Sequence, residues 1–157
     1  MCLVVDTCCL ASVFDRRSKN HDRFAPVLRW ITNGKGRLIY GGTKYNKELS
    51  MVRKFVPIVA ELRRGGRAIQ VSTREVDRMA QTLKSRIPDK DFDDEHIVAL
   101  VIVSRCCVVC TDDKRAMPYL TRTELYREVK LRAPKIYQRR QHDTLCCDQN
   151  IVPICKN

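Results

Sequence analysis

Residues 93–113, DDEHIVALVIVSRCCVVCTDD, decide how this chain is read. After an acidic start, every residue from Ile97 to Val103 is apolar. A helix that is hydrophobic on all sides has no face to offer water, so it belongs at the centre of a fold. Ser104 and Arg105 stop the run well short of a membrane span. The CCVVCT that follows, residues 106–111, reads as a short strand buried on both faces. It delivers the chain to Thr111, Asp112 and Asp113 at its end.

Outward from this block the same alternation repeats. MCLVVDT reads as a buried strand closed by Asp6. HDRFAPVLRWITNG places Phe24, Val27, Leu28 and Ile31 at helical spacing before an Asn33-Gly34 stop. GRLIYGG is a second strand. From Asn46, Leu49, Val52, Val56 and Val59 line one helical face, with a kink or break expected at Pro57. RAIQVS is a third strand, and Ser72-x-x-Glu75 opens a helix whose stripe is Val76, Met79, Ala80 and Leu83. Thr121-x-x-Glu124 caps a further helix. Short apolar strands alternating with helices predict a three-layer α/β/α sandwich with a central, mainly parallel sheet. One domain is expected over residues 1–133. Residues 134–157 are expected to form a basic C-terminal extension that adds an edge strand and then a partly ordered tail.

Composition narrows the function classes. Thirty Lys and Arg against 18 Asp and Glu give a net charge of +12, a field that recruits polyanions such as nucleic acid. The N-terminus lacks the basic and apolar regions of a signal peptide, which predicts a cytoplasmic protein with no membrane segment. Its nine cysteines are then expected to stay reduced. Six of them form adjacent pairs (Cys8-Cys9, Cys106-Cys107, Cys146-Cys147), a poor arrangement for chelation and a good one for small buried hydrophobes. Cys107-x-x-Cys110 would suit a zinc or redox protein, but no second such motif exists, and on a strand the two would face opposite ways.

The carboxylates are more pointed. In a doubly wound sheet, ligands bind outside the C-terminal ends of the strands. Asp6 ends the first strand, and Asp112 and Asp113 follow the fourth. Asp93 and Asp94 open the buried helix, and Glu48 lies early in the helix after the second strand. Converging anions cost stability unless cations neutralise them, and an all-oxygen set favours Mg²⁺ or Mn²⁺, one or two ions. Each acid taken alone could equally cap a helix or sit in a solvated turn.

LVVDT, TKYNKEL, DDEHIVALVIVSR and VVCTDDKRA, in that order, resemble the four sequence blocks of PIN-domain nucleases. The resemblance covers about residues 3–120. Its motif matches are Asp6, Glu48, Asp94 with His96, and Thr111 with Asp113. Family spacing favours Asp94 over Asp93 and Asp113 over Asp112, while either neighbour could join the site. The resemblance implies a metal-dependent endoribonuclease in which Asp6, Glu48, Asp94 and Asp113 hold the metal and perform a two-metal hydrolysis of RNA. Thr7 and Thr111 would then hydrogen-bond a ligand or a phosphate, or simply cap the strand ends. His96 reads as a structural histidine bonded to backbone rather than a general base. Many small PIN proteins are toxins paired with an antitoxin protein, others process RNA, and homodimers are common among them.

An acidic pocket repels RNA, so cations should surround it. Candidates are Lys44, Lys47, Arg53, Lys54, Lys114 and Arg115, with Lys135, Arg139 and Arg140 in the tail and Tyr137 available to stack on a base of single-stranded RNA. Two other classes compete. A phosphorelay receiver needs an acidic pair after the first strand and an Asp after the third, and has neither here. A non-catalytic PIN-like module would bind RNA or a protein partner without cutting.

Overall fold

The structure, a computed structural model describing residues 2–156, is built on five strands: β1 (Cys2–Val5), β2 (Arg37–Tyr40), β3 (Ala68–Gln70), β4 (Val108–Cys110) and β5 (Lys135–Tyr137). They lie in the order β3-β2-β1-β4-β5, and all four pairings are parallel. Parallel neighbours need crossover connections. These are supplied by α1 (Leu10–Phe14), α2 (His21–Thr32), α3 (Thr43–Met51), α4 (Val56–Arg64), α5 (Thr73–Arg86) and α6 (Glu95–Ser104), followed by α7 (Met117–Leu120) and α8 (Glu124–Arg127). The result is a three-layer α/β/α sandwich.

Burial follows from the sequence pattern. Every residue of β1 and β4 is buried, as a sheet covered on both faces requires. In α6, Ile97 to Val101 are completely buried, and α5 packs along it. Ser72 accepts the backbone N–H of Glu75 and so caps α5 as its spacing predicts.

Several expectations are corrected. The helix expected from Asn46 begins at Thr43 and breaks at Val52, where φ −96° and ψ 58° leave the helical region. A 3₁₀ turn, Arg53–Phe55, then shifts the stripe: Phe55 is buried and Val56 is 42% exposed. Pro57 falls in the first turn of α4, where its missing N–H costs nothing. Thr121 closes α7, its hydroxyl bonded to the Met117 carbonyl, rather than capping the next helix. The fourth strand is only Val108–Cys110, because Arg105 turns the chain in the left-handed region (φ 58°) and Cys106 and Cys107 lie in the connection.

The C-terminal segment supplies β5 as the edge strand and then doubles back through 3₁₀ turns that bury Asn150, Val152 and Cys155. A disulfide joins Cys155 to Cys2, with Cα atoms 6.4 Å apart. The expectation of nine free thiols is thereby overturned for these two, because the segment bearing Cys155 packs against the start of β1. Among the described residues, no helix is long and apolar enough to cross a membrane.

Candidate functional site

In a parallel sheet all strands end at one edge, and a crevice opens where the chain's winding reverses direction. With this strand order the reversal lies between β1 and β4. Asp6 directly follows β1, and Thr111 and Asp113 follow β4, so these residues flank the crevice.

Asp6 is buried, and its Oδ2 accepts the Thr111 hydroxyl at 2.7 Å. Its Oδ1 accepts the Cys8 backbone N–H at 3.3 Å. The Thr111 side chain, fully buried, also accepts the Asp113 N–H at 3.1 Å. One hydroxyl thus ties the two strand ends together. Thr111→Val should cost about 1–3 kcal/mol, the penalty for leaving a buried acceptor and a donor unpaired, and Thr111→Ser should recover most of it in urea unfolding.

Glu48 arrives by a different route. Gly42, at φ +85°, starts α3 so close to α5 that a Cβ there would lie 2.6 Å from Val76. One turn on, the buried Tyr45 hydroxyl donates to the Val5 carbonyl at 2.7 Å and pins α3 to the end of β1. Glu48 is three residues further on the same helical face. Its Oε2 accepts the Thr7 hydroxyl at 2.8 Å. Burial pushes the Glu48 carboxyl up, but His96, Thr7 and Lys44 outweigh it and leave the group below its ordinary range.

His96 is not bonded to backbone as expected. It is 3% exposed, with Nε2 3.3 Å from Glu48 Oε2 and neither ring nitrogen in hydrogen-bonding alignment with any described residue. Two positions along a helix is too little to turn a side chain onto the Asp94 side, and α3 happens to pack where the ring points.

Asp94 stands at the N-cap of α6 without capping it, and no described residue bonds its carboxylate. Burial, then the negative charges of Asp6 and Asp93, push its pKa up to about 6, with Asp113 adding to the rise and His96 opposing it. Asp113 accepts the Arg115 N–H at 2.8 Å, and its carboxylate lies 3.5 Å from the Arg115 guanidinium, which also reaches Asp93 at 4.0 Å. Asp112 is turned away: Arg23 grips both its oxygens while donating to the Gln138 carbonyl.

The cations expected around the acids divide. Lys44 bonds the Asp93 carbonyl and pairs with Glu95 at 3.3 Å, and Arg115 is engaged as above. Lys47, Arg53 and Lys114 are exposed, with no described partner. Lys54 pairs with Asp15 at 3.0 Å and lies over the Phe55 ring. Arg139 reaches His142, and Arg140 lines a separate cleft with Arg16 and Arg29. Lys135 is a correction. It opens β5 opposite Val108, at the edge of the sheet remote from the acids, because a parallel strand starts where its neighbours start. Tyr137 is also a correction: it is fully buried with its hydroxyl on the Arg23 carbonyl, so it has no face for a base.

The sulfur residues separate in the same way. Cys107 Sγ faces the Asn150 carbonyl at 3.7 Å, whereas Cys110 is buried in the core beside Cys9. Contact with Cys9, burial and Asp6 all hold the Cys8 thiol well above its ordinary range, which leaves it protonated.

Among the described residues, no group of three or more His, Cys, Asp and Glu side chains is already arranged to hold a metal ion. The donor chemistry nonetheless fits a hard cation. The carboxylates are oxygen donors. Thr7 and Thr111 each occupy one oxygen of their acid, and the half-buried Asp94 carboxylate makes no direct ion pair among the described residues, Arg115 acting on it only at longer range. Sequence reasoning missed Tyr45 and Arg23, which position Glu48 and divert Asp112. Tyr45 lies within the TKYNKEL block, but only the packing of α3 reveals its role. Family models, curated proteins and solved structures were each compared with this chain, and none matches it.

Proposed function

We propose that this chain is a PIN-type, metal-dependent endoribonuclease that cuts single-stranded RNA at the β1–β4 crevice. The observation that carries the reading is Asp94, a half-buried carboxyl raised by burial and by Asp6, Asp93 and Asp113. The carboxyl makes no ion pair or hydrogen bond of its own among the described residues and feels Arg115 only at longer range. Asp6, Glu48, Asp94 and Asp113 would hold Mg²⁺ or Mn²⁺. When bound, such an ion supplies an activated water and charge neutralisation at phosphorus.

The chain's own residues do the rest. Thr111 orients Asp6 through Oδ2 and Thr7 orients Glu48 through Oε2, which presets the carboxylate planes. Asp94, pushed up to about 6, is still ionised at neutral pH and so available as a metal ligand. The exposed Lys47, Arg53 and Lys114 would offset the repulsion between RNA and the acids.

Labelled single-stranded RNA incubated with Mn²⁺ should be cleaved, and both EDTA and Asp94→Ala should abolish the cleavage. Cutting that persists under either condition would rule out the carboxylate–metal mechanism. Intact RNA that remains bound to the protein would instead indicate a non-cutting binding module.

A further inference from the structure

A cavity of about 810 Å³ opens at the other edge of the sheet, where β2 and β3 begin. Its walls carry Lys35, Arg37, Arg67 and Lys156 against a single acid, Asp148. Arg37 is the first residue of β2, and Arg67 immediately precedes β3. Because the strands are parallel neighbours in register, both arginines enter the cavity side by side.

The two guanidinium groups are cross-anchored. Arg37 Nη1 donates to the Gly66 carbonyl at 2.7 Å, and Arg67 Nη1 donates to the Gly34 carbonyl. Each anchor consumes one of five donors and leaves the rest of the fork free. It also removes much of the ordering cost that a free arginine bears on binding. Neither guanidinium meets a carboxylate among the described residues, nor does the Lys156 ammonium, while Lys35 pairs with Asp148. Gly66, at φ +67°, keeps a side chain out of the wall beside Arg37. The segment bearing Asp148 and Lys156 is tied to β1 through the Cys2–Cys155 disulfide, so the opposite wall is covalently held.

Fixed like charges raise one another's energy until an anion enters between them. Paired guanidinium forks match the oxygens of a phosphate. The volume exceeds what a bare ion needs and falls within the roughly 300–1,000 Å³ of small-molecule sites. We propose that this cavity binds a phosphate group carried on a nucleotide-sized ligand, either a free nucleotide or the phosphorylated end of an RNA strand. This site is independent of the carboxylate crevice and does not rest on the nuclease reading.

The test uses the full chain, with EDTA present to prevent cleavage. Calorimetry compares adenosine 5′-monophosphate with adenosine, and fluorescence anisotropy compares a short single-stranded RNA bearing a 5′-phosphate with the same RNA bearing a 5′-hydroxyl. The phosphorylated member of at least one pair should bind about tenfold more tightly. Discrimination in the nucleoside pair alone identifies a free nucleotide, and discrimination in the RNA pair alone identifies a strand end. Two exposed substitutions should then move the affinity in opposite directions: Asp148→Asn tightening it about threefold and Lys156→Glu weakening it about tenfold, with melting temperatures unchanged. No phosphate discrimination in either pair, or an affinity indifferent to both substitutions, overturns the proposal.

Discussion

Asp94→Asn is expected to raise the melting temperature at neutral pH and, in the same protein, to abolish RNA cleavage. The Asp94 carboxyl titrates at about 6 in the folded chain against an ordinary 3.8, through burial and the charges of Asp6, Asp93 and Asp113. A raised folded pKa means that the proton favours the folded state. That stabilisation is complete below pH 3.8 and is lost as the pH rises through 6. At pH 7 the wild-type chain carries the unfavourable charge and the Asn variant does not. For a fully buried group a rise from 3.8 to about 6 would correspond to about 3 kcal/mol, and solvent around half of this one reduces the gain to about 1–2 kcal/mol.

The advantage of Asn over Asp in EDTA should therefore amount to about 3–6 °C at pH 7 and shrink towards zero near pH 4. Mn²⁺ should raise the melting temperature of the wild type and leave the variant nearly unmoved, since only a site with its charge intact gains from the ion. Loss of this metal ligand should abolish cleavage. A variant no more stable than wild type at pH 7 would show that the acids do not repel one another at the crevice.

Leu100→Ala should be among the damaging truncations, at about 3–4 kcal/mol and roughly 10 °C of melting temperature. Leu100 is completely buried at the middle of α6, among Ile97, Val98, Ala99 and Val101, which are also completely buried. These flanking α6 residues are all closed off from solvent, so the space left by the side chain is only partly refilled by relaxation. Val56→Ala is the matched control. The residue is apolar and helical but 42% exposed, and its loss should stay within about 0.5 kcal/mol. Chemical denaturation of both variants would settle the contrast, and equal costs would mean that α6 is not the centre of the core.

The two substitutions also mark how far the fold is legible in the amino-acid sequence. Leu100 was legible because an all-apolar helix leaves only one environment open to it. Val56 was misread because a helical stripe holds only while the backbone stays helical, and the break at Val52 discards the phase. Asp6, Thr111 and Asp113 were placed correctly at the strand ends, since a parallel sheet brings all those ends to one edge. Lys135 and Tyr137 were misplaced because the polarity and depth of a three-residue strand depend on the neighbour it joins.

What the amino-acid sequence determined by itself is therefore local in origin. Apolar runs set the strands, periodic stripes set the helices, and their alternation set a parallel sheet whose strand ends carry the acids. The tertiary structure alone decided the pairings. Thr111 bonds Asp6 across 105 positions, Arg23 takes Asp112 across 89, and Cys2 meets Cys155 across 153. It alone also brought Arg37 and Arg67 into one cavity behind the sheet. Periodicity fixes which way a residue faces along its own element. Partners so distant are chosen only by register and packing between elements, and no short stretch of the chain contains that information.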